Sequence, residues 1–201
     1  IYNSKLYSTD KQQARKLIIK NDYIFIESYR NDTVSIIKTI KDMTNSGINN
    51  HSNSVKHWIS TQDRSDVSNE KKMALINMFE HSKAALIYGA AGTGKTTLIN
   101  YISSYFKDSS RLYLANTKSS KCKFMTIAKF NNSHSKDMKR DYDIVIIDES
   151  STVNNCDMKD LLQLAQYELL ILVGDIYQIE AINFGNWFNA VKYFIPETSV
   201  C

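Results

Sequence analysis

Nine consecutive residues carry the clearest chemistry in this sequence: Gly89-Ala90-Ala91-Gly92-Thr93-Gly94-Lys95-Thr96-Thr97. A glycine, four variable positions and then Gly-Lys-Thr is the spacing of a phosphate-binding loop. Gly89, Gly92 and Gly94 permit backbone conformations closed to other residues, so successive N–H groups can turn inward around phosphate oxygens at the positive end of a following helix. Lys95 is then placed to reach the β- and γ-phosphates of a nucleotide, and the Thr96 hydroxyl to ligate Mg²⁺. Such a loop needs a strand before it and a helix after it. Ala84-Ala85-Leu86-Ile87-Tyr88 reads as the buried strand and Thr96-Thr97-Leu98-Ile99-Asn100-Tyr101-Ile102 as the helix.

A second cluster supplies what the loop lacks. Asp143-Ile144-Val145-Ile146-Ile147-Asp148-Glu149 is a continuous β-branched run ending in acids, the pattern of a strand buried on both faces. Ligands bind beyond the carboxyl ends of strands in open α/β sheets, which is where Asp148 and Glu149 fall. Asp148 can hold Mg²⁺ through its water shell, and Glu149 can orient and deprotonate the water that attacks a γ-phosphate. Asp141 and Asp143 sit at the opposite end of that strand and read as surface residues. Leu169-Leu170-Ile171-Leu172-Val173 is a further buried strand emptying into Gly174-Asp175-Ile176-Tyr177-Gln178. The Gln178 amide, just past a strand end, suits a hydrogen bond to the γ-phosphate or the attacking water. Arg111-Leu112-Tyr113-Leu114-Ala115 is the remaining strand of this α/β unit, and Ser68-Asn69 cap a helix running to about residue 79 that leads into it.

Length and composition fit that unit. The 201 residues suffice for one domain and an accessory piece, and 43% hydrophobic content supports a core. No apolar stretch approaches the roughly 18 residues of a membrane span, and no charged-then-apolar leader opens the chain. The chain begins with Ile1 rather than Met and is read as a piece of a longer protein. Cys122, Cys156 and Cys201 form no C-x-x-C pair, which disfavours a disulfide framework or a zinc site and makes a reducing cytoplasm the simplest compartment. The net charge of +4 is modest, but residues 111–140 carry eight basic side chains against the single acid Asp137. That segment suits a polyanion or a solvated basic surface.

Residues 1–66 carry no motif. Ser8-Thr9-Asp10 resembles a helix start, with Ala14, Leu17 and Ile18 at helical spacing; Tyr23-Ile24-Phe25-Ile26 suits a short strand. A helix is expected over residues 33–43, with Gly47 after its end, then a loop over 44–53, an ordered piece over 55–60 around Trp58 and a polar linker over 61–68. His51 and His57 read as surface or packing residues, since no metal partner stands at the right spacing.

Three of these stretches in series resemble a known family. Residues 89–96, Asp148-Glu149-Ser150-Ser151 and Leu172-Val173-Gly174-Asp175-Ile176-Tyr177-Gln178 resemble motifs I, II and III of superfamily 1 helicases, nearest the RecD-like bacterial branch. The resemblance covers about residues 67–195, and Phe184-Gly185-Asn186-Trp187-Phe188 is similar to the continuation seen in RecD-like proteins. It implies an α/β fold, a RecA-like P-loop NTPase domain with a parallel sheet flanked by helices, in which the motif III strand lies between the other two motif strands and brings Gln178 beside Lys95 and Glu149. A small mainly helical or α+β region at 1–66 would precede this motor domain at 67–201. The implied activity is ATP- and Mg²⁺-dependent movement on single-stranded DNA. Leu114-Ala115-Asn116-Thr117 resembles motif Ia, and Thr126-Ile127-Ala128-Lys129-Phe130 resembles the family's Thr-x-x-x-Phe element. Asn116, Thr117 and Thr126 would meet DNA phosphates, with Lys129 adding non-specific attraction. Phe184 and Trp187 suit either base stacking or a core role.

The sequence departs from the family in three places. The upstream glutamine that reads adenine falls near Lys71 or Lys72, Ile179-Glu180-Ala181 replaces the usual Leu-Pro-Pro, and nothing resembling motifs IV to VI follows. The arginines of those later motifs would come from a second RecA-like domain of the full-length chain, so this piece alone is expected to bind nucleotide and hydrolyse it poorly. A non-motor ATP switch is the alternative from another class, and RNA the alternative track.

Overall fold

The computed structural model describes residues 2–6, 15–62, 67–90, 92–115, 125–133, 140–175, 185–194 and 199–200. The apolar runs become the strands of one sheet: β3 (Ala84–Tyr88), β4 (Arg111–Ala115), β5 (Met125–Thr126), β6 (Arg140–Asp148), β7 (Ala165–Gly174) and β8 (Ser199–Val200), in the spatial order β5-β4-β6-β7-β3-β8. Every adjacent pair is parallel. Parallel strands need crossovers, and helices on both faces supply them. As expected, the strand of the third motif, β7, lies between β6 and β3, with Val173 opposite Ile87 and Leu172 opposite Ile147.

Successive strand residues point to opposite faces, and the two faces have separate helical covers. Leu86, Leu114, Val145, Ile147, Leu170 and Leu172 pack with helices α1 (Glu27–Met43), α5 (Ile127–Ser133), α6 (Asn155–Leu164) and α7 (Trp187–Phe194). Ala85, Ile87, Ile144, Ile146, Ile171 and Val173 pack with α2 (His51–Thr61), α3 (Asn69–Asn77) and α4 (Lys95–Tyr105). Ile36 and Ile40 of α1 and Val55 of α2 are fully buried, so residues 27–61 share the core of the sheet that follows them. The Lys159–Asp32 ion pair, and Asn155 donating to the Thr33 hydroxyl, tie α1 to α6.

Several expectations for residues 1–66 are corrected. Leu17 and Ile18 lie in a strand, β1 (Leu17–Lys20), paired antiparallel with β2 (Tyr23–Ile26); only β2 was expected. Asn21 and Asp22 make the two-residue turn with φ of 49° and 64°, a conformation these short polar side chains tolerate. The rest of the expected first helix, residues 8–14, lies outside the described residues. Helix α1 starts six residues before 33, at Glu27, directly after β2, with that acid in its first turn. The loop expected to 53 ends at 50, where Asn50 adopts the left-handed conformation and His51 opens α2. Gly47 serves close approach: a Cβ there would lie 2.0 Å from the Glu80 carbonyl oxygen, beside the bond from Ile48 N–H to Phe79 O. Ser68 caps α3 as expected, accepting from Lys71 N–H at 3.4 Å, though Met73 is exposed. Among the described residues no helix is long and apolar enough to cross a membrane.

Candidate functional site

The carboxyl ends of β3, β6 and β7 meet at one edge of the sheet, and the chemically equipped residues gather there. Beyond Tyr88 the chain turns through the glycine loop, with Gly92 at φ 83° and Gly94 at φ 87°, both in the left-handed region. Gly94 is the N-cap of α4, so the loop ends on the positive pole of an eleven-residue helix. Lys95 folds back over the loop, its ammonium donating to the Gly89 carbonyl at 2.5 Å and the Ala90 carbonyl at 2.9 Å. Thr93 closes the turn by donating its hydroxyl to Ala90 O. Gly89 N–H reaches Gly174 O at 3.4 Å, joining the loop to the end of β7.

Asp148 ends β6, and Glu149 follows it in a left-handed conformation, φ 54° and ψ 35°. A non-glycine residue there is strained, and the reversal turns the chain off the strand into the short 3₁₀ turn Ser150–Thr152. Ser150 donates to Ile147 O and Thr152 N–H to Glu149 O, which hold the turn. Burial pushes the Asp148 carboxyl above its usual range, and the repulsion of Glu149 adds to that; the Glu149 N–H at 2.9 Å and the charge of Lys95 oppose it. Ser151 accepts from Asp175 N–H at 3.4 Å, linking the turn after β6 to the residue after β7.

A cleft of about 370 Å³ opens between these pieces. Its loop side is Gly92, Gly94, Lys95 and Thr96; its sheet side is Asp148 and Glu149. Gly174 and Asp175 close the end of β7. A Cβ on Gly174 would stand 2.7 Å from the Phe188 ring, so only glycine fits between the cleft and the helix α7 behind it. The donor set fits a magnesium nucleotide: a hydroxyl and a carboxylate for a hard cation, an ammonium and a helix pole for phosphates. Among the described residues no group of three or more His, Cys, Asp or Glu is placed to hold a metal by itself.

Of the residues singled out by sequence, the structure brings Gly92, Gly94, Lys95, Thr96, Asp148 and Glu149 to this cleft, with Gly89, Ala90 and Thr93 in the loop that frames it. Thr97 is exposed one position beyond, in α4. Ala91 and Gln178 lie outside the described residues. Asp175 was quoted within its motif but given no role; its position after a buried strand beside the first two motifs was the signal. Thr126 ends β5, two strands from Asp148 along the same sheet edge, since Ala115 of β4 is in register with both. Its hydroxyl oxygen accepts from Lys129 N–H at 3.2 Å at the start of α5, and Lys129 is exposed. Asn116, Thr117 and Phe184 lie outside the described residues. Trp187 is fully buried, with its indole N–H on Val153 O at 2.7 Å, so it is a core residue and has no face free for a base. His51 is buried and His57 exposed; Asp141 and Asp143 are exposed as expected, Asp143 accepting from Ser110 N–H.

A parallel sheet flanked by helices, with a glycine loop between its β3 strand and a helix and acids at the end of β6, defines a P-loop domain of the RecA-like type. Residues 66–198 match the AAA domain family, and the chain belongs to that family. No curated protein matches it. Among solved structures it is similar to the Pif1 helicase from Candida albicans, at 21% identity over 69% of this chain with a TM-score of 0.43. It is similar also to a Bacteroides Pif1 bound to ssDNA, at 16% identity over 66% of this chain with a TM-score of 0.43. This chain spans 39% and 37% of those two chains, less than half of either.

Proposed function

We propose that this chain is the first motor domain of an ATP-dependent DNA helicase of superfamily 1, of the RecD-like branch, which binds and hydrolyses ATP to move on single-stranded DNA in the cytoplasm. The observation that carries the reading is the convergence of Lys95, Thr96, Asp148 and Glu149 on one cleft at the carboxyl edge of a parallel sheet. In this reading the loop N–H groups from Gly89 to Thr97 and the pole of α4 hold the phosphates, and Lys95 moves from its loop carbonyls to the β- and γ-oxygens. Thr96 and Asp148 would hold Mg²⁺, which neutralises the charge developing on the phosphates. Glu149, which lines the same cleft as Lys95, accepts the proton of the attacking water. Gln178, three residues after Asp175 in the sequence, would sense the γ-phosphate.

Thr126, at the same sheet edge, and Lys129 would take phosphates of the DNA strand, and Asn116 and Thr117 are assigned the same role from the sequence. Residues 67–201 form the motor domain and 1–66 an accessory region whose helices α1 and α2 lie on its sheet. A second RecA-like domain of the full-length chain would close over the cleft. The test is ATP turnover by the full-length protein with and without single-stranded DNA. Stimulation by DNA that Lys95→Ala abolishes supports the motor; turnover indifferent to any nucleic acid converts the reading to a nucleotide switch.

A further inference from the structure

Lys71 reaches Gly94 of the phosphate loop, although it comes from the helix before the loop strand. Its Nζ lies 3.0 Å, and its Cε 3.5 Å, from the position a Cβ on Gly94 would occupy. Ser68 fixes its place by capping Lys71 N–H, which sets the residue in the first turn of α3. The ammonium therefore rests at the positive pole of its own helix and beside the N-cap of α4, two dipole ends that both repel a cation. Lys95 brings a second ammonium to the same loop. The ion pairs among the described residues are Lys16–Glu27 and Lys159–Asp32, so neither loop cation is paired with an acid among the described residues. Two ammonium groups and converging helix poles are stabilised together by a multivalent anion.

Resting on the nucleotide reading above, we propose that Lys71 is a second phosphate-binding cation of this site, which grips the polyphosphate chain at the Gly94 end of the loop. Lys95 grips the other end, against Asp148 and Glu149 in the cleft. The chemistry also sets a limit on selectivity. An ammonium has three donors and no acceptor, so Lys71 cannot receive the exocyclic amine hydrogen that distinguishes adenine from guanine. Its contribution is charge, which every nucleoside triphosphate carries equally.

Three magnesium ligands separate the possibilities: ATP, GTP and inorganic tripolyphosphate, titrated into the intact protein and its Lys71→Ala, Lys71→Arg and Lys95→Ala variants. Lys71→Ala is expected to weaken all three by a similar factor, roughly tenfold, the range of a hydrogen bond to a charged group. Lys71→Arg, which keeps the charge, is expected to stay within about threefold of wild type. If Lys71→Ala weakens ATP and leaves tripolyphosphate unchanged, the side chain meets base or sugar and the inference is overturned. It is equally overturned if Lys71→Ala changes nothing while Lys95→Ala abolishes binding, and then the nucleotide reading stands without it. If wild type binds no ligand, or Lys95→Ala binds as wild type does, the nucleotide reading itself fails and takes the inference with it.

Discussion

Asp148, half-buried, and His51, buried, are two ionisable groups that the fold treats alike and uses differently. Burial raises the pKa of the Asp148 carboxyl above its ordinary value and lowers that of the His51 imidazole, so each is pushed toward its neutral form. Around His51 the neutral form is fully served. Its Nε2–H donates to Leu75 O at 3.3 Å, its ring stacks on Phe106 at 6.2 Å between centroids, and Phe79 and Tyr105 meet it edge-on. Asp148 lies at the open edge of the sheet, beside the strained Glu149 and a lysine that leans on loop carbonyls. The interior spends its polar groups on packing, whereas the carboxyl edge holds charge and strain that a bound ligand would relieve.

Substitutions on the two sides should therefore part cleanly. Glu149→Gln removes the proton acceptor while keeping size and backbone, and in the full-length protein it is expected to cut ATP turnover by about 10²–10⁴-fold with nucleotide affinity retained. Turnover within a factor of a few of wild type, measured by phosphate release, would remove Glu149 from the chemistry. On the interior side Trp187→Ala should cost about 3–5 kcal/mol in a denaturant titration, since it empties a fully buried site and strands the Val153 carbonyl. A loss under 1 kcal/mol would mean the indole is not the keystone of that face.

Smaller effects sharpen the contrast. The unfolded histidine, near 6.5, takes up its proton before the buried one does, so the stability His51 contributes is complete above pH 6.5 and is lost as pH falls toward its lowered folded value. Wild type is expected to lose about 2 °C more in Tm between pH 7 and 5.5 than His51→Gln, which keeps a donor and does not titrate. Equal slopes would show that His51 is protonated without penalty. For Asp148 the sign reverses: a raised folded value means that ionisation at neutral pH costs stability. Asp148→Asn should therefore match or exceed wild type by on the order of 1–2 °C in Tm without Mg²⁺, while a lower Tm would show that the carboxylate is satisfied by the protein alone.

The site was legible in the sequence because its chemistry is local. Gly89 to Thr97 and Asp148-Glu149 carry their spacing within a few residues, and strands β3 and β7 follow from runs of apolar residues buried on both faces. Leu17-Ile18-Ile19 was ambiguous because a short apolar run fits a helix face or a strand equally, and the Asn21-Asp22 turn decides between them only once both strands are recognised. Helix α2 was missed at its start because His51 is buried by aromatic partners from residues 79–106, a long-range contact that no local pattern encodes. The approach of Lys71 to Gly94 has the same origin: it follows from α3 and α4 covering the same face of the sheet.

The account stands most directly on the equilibrium affinity of the protein for MgATP, wild type against Lys95→Ala. Wild type is expected to bind, and Lys95→Ala to bind at least about tenfold more weakly with an unchanged melting curve. Equal affinity of the two proteins would contradict the placement of the nucleotide on this loop.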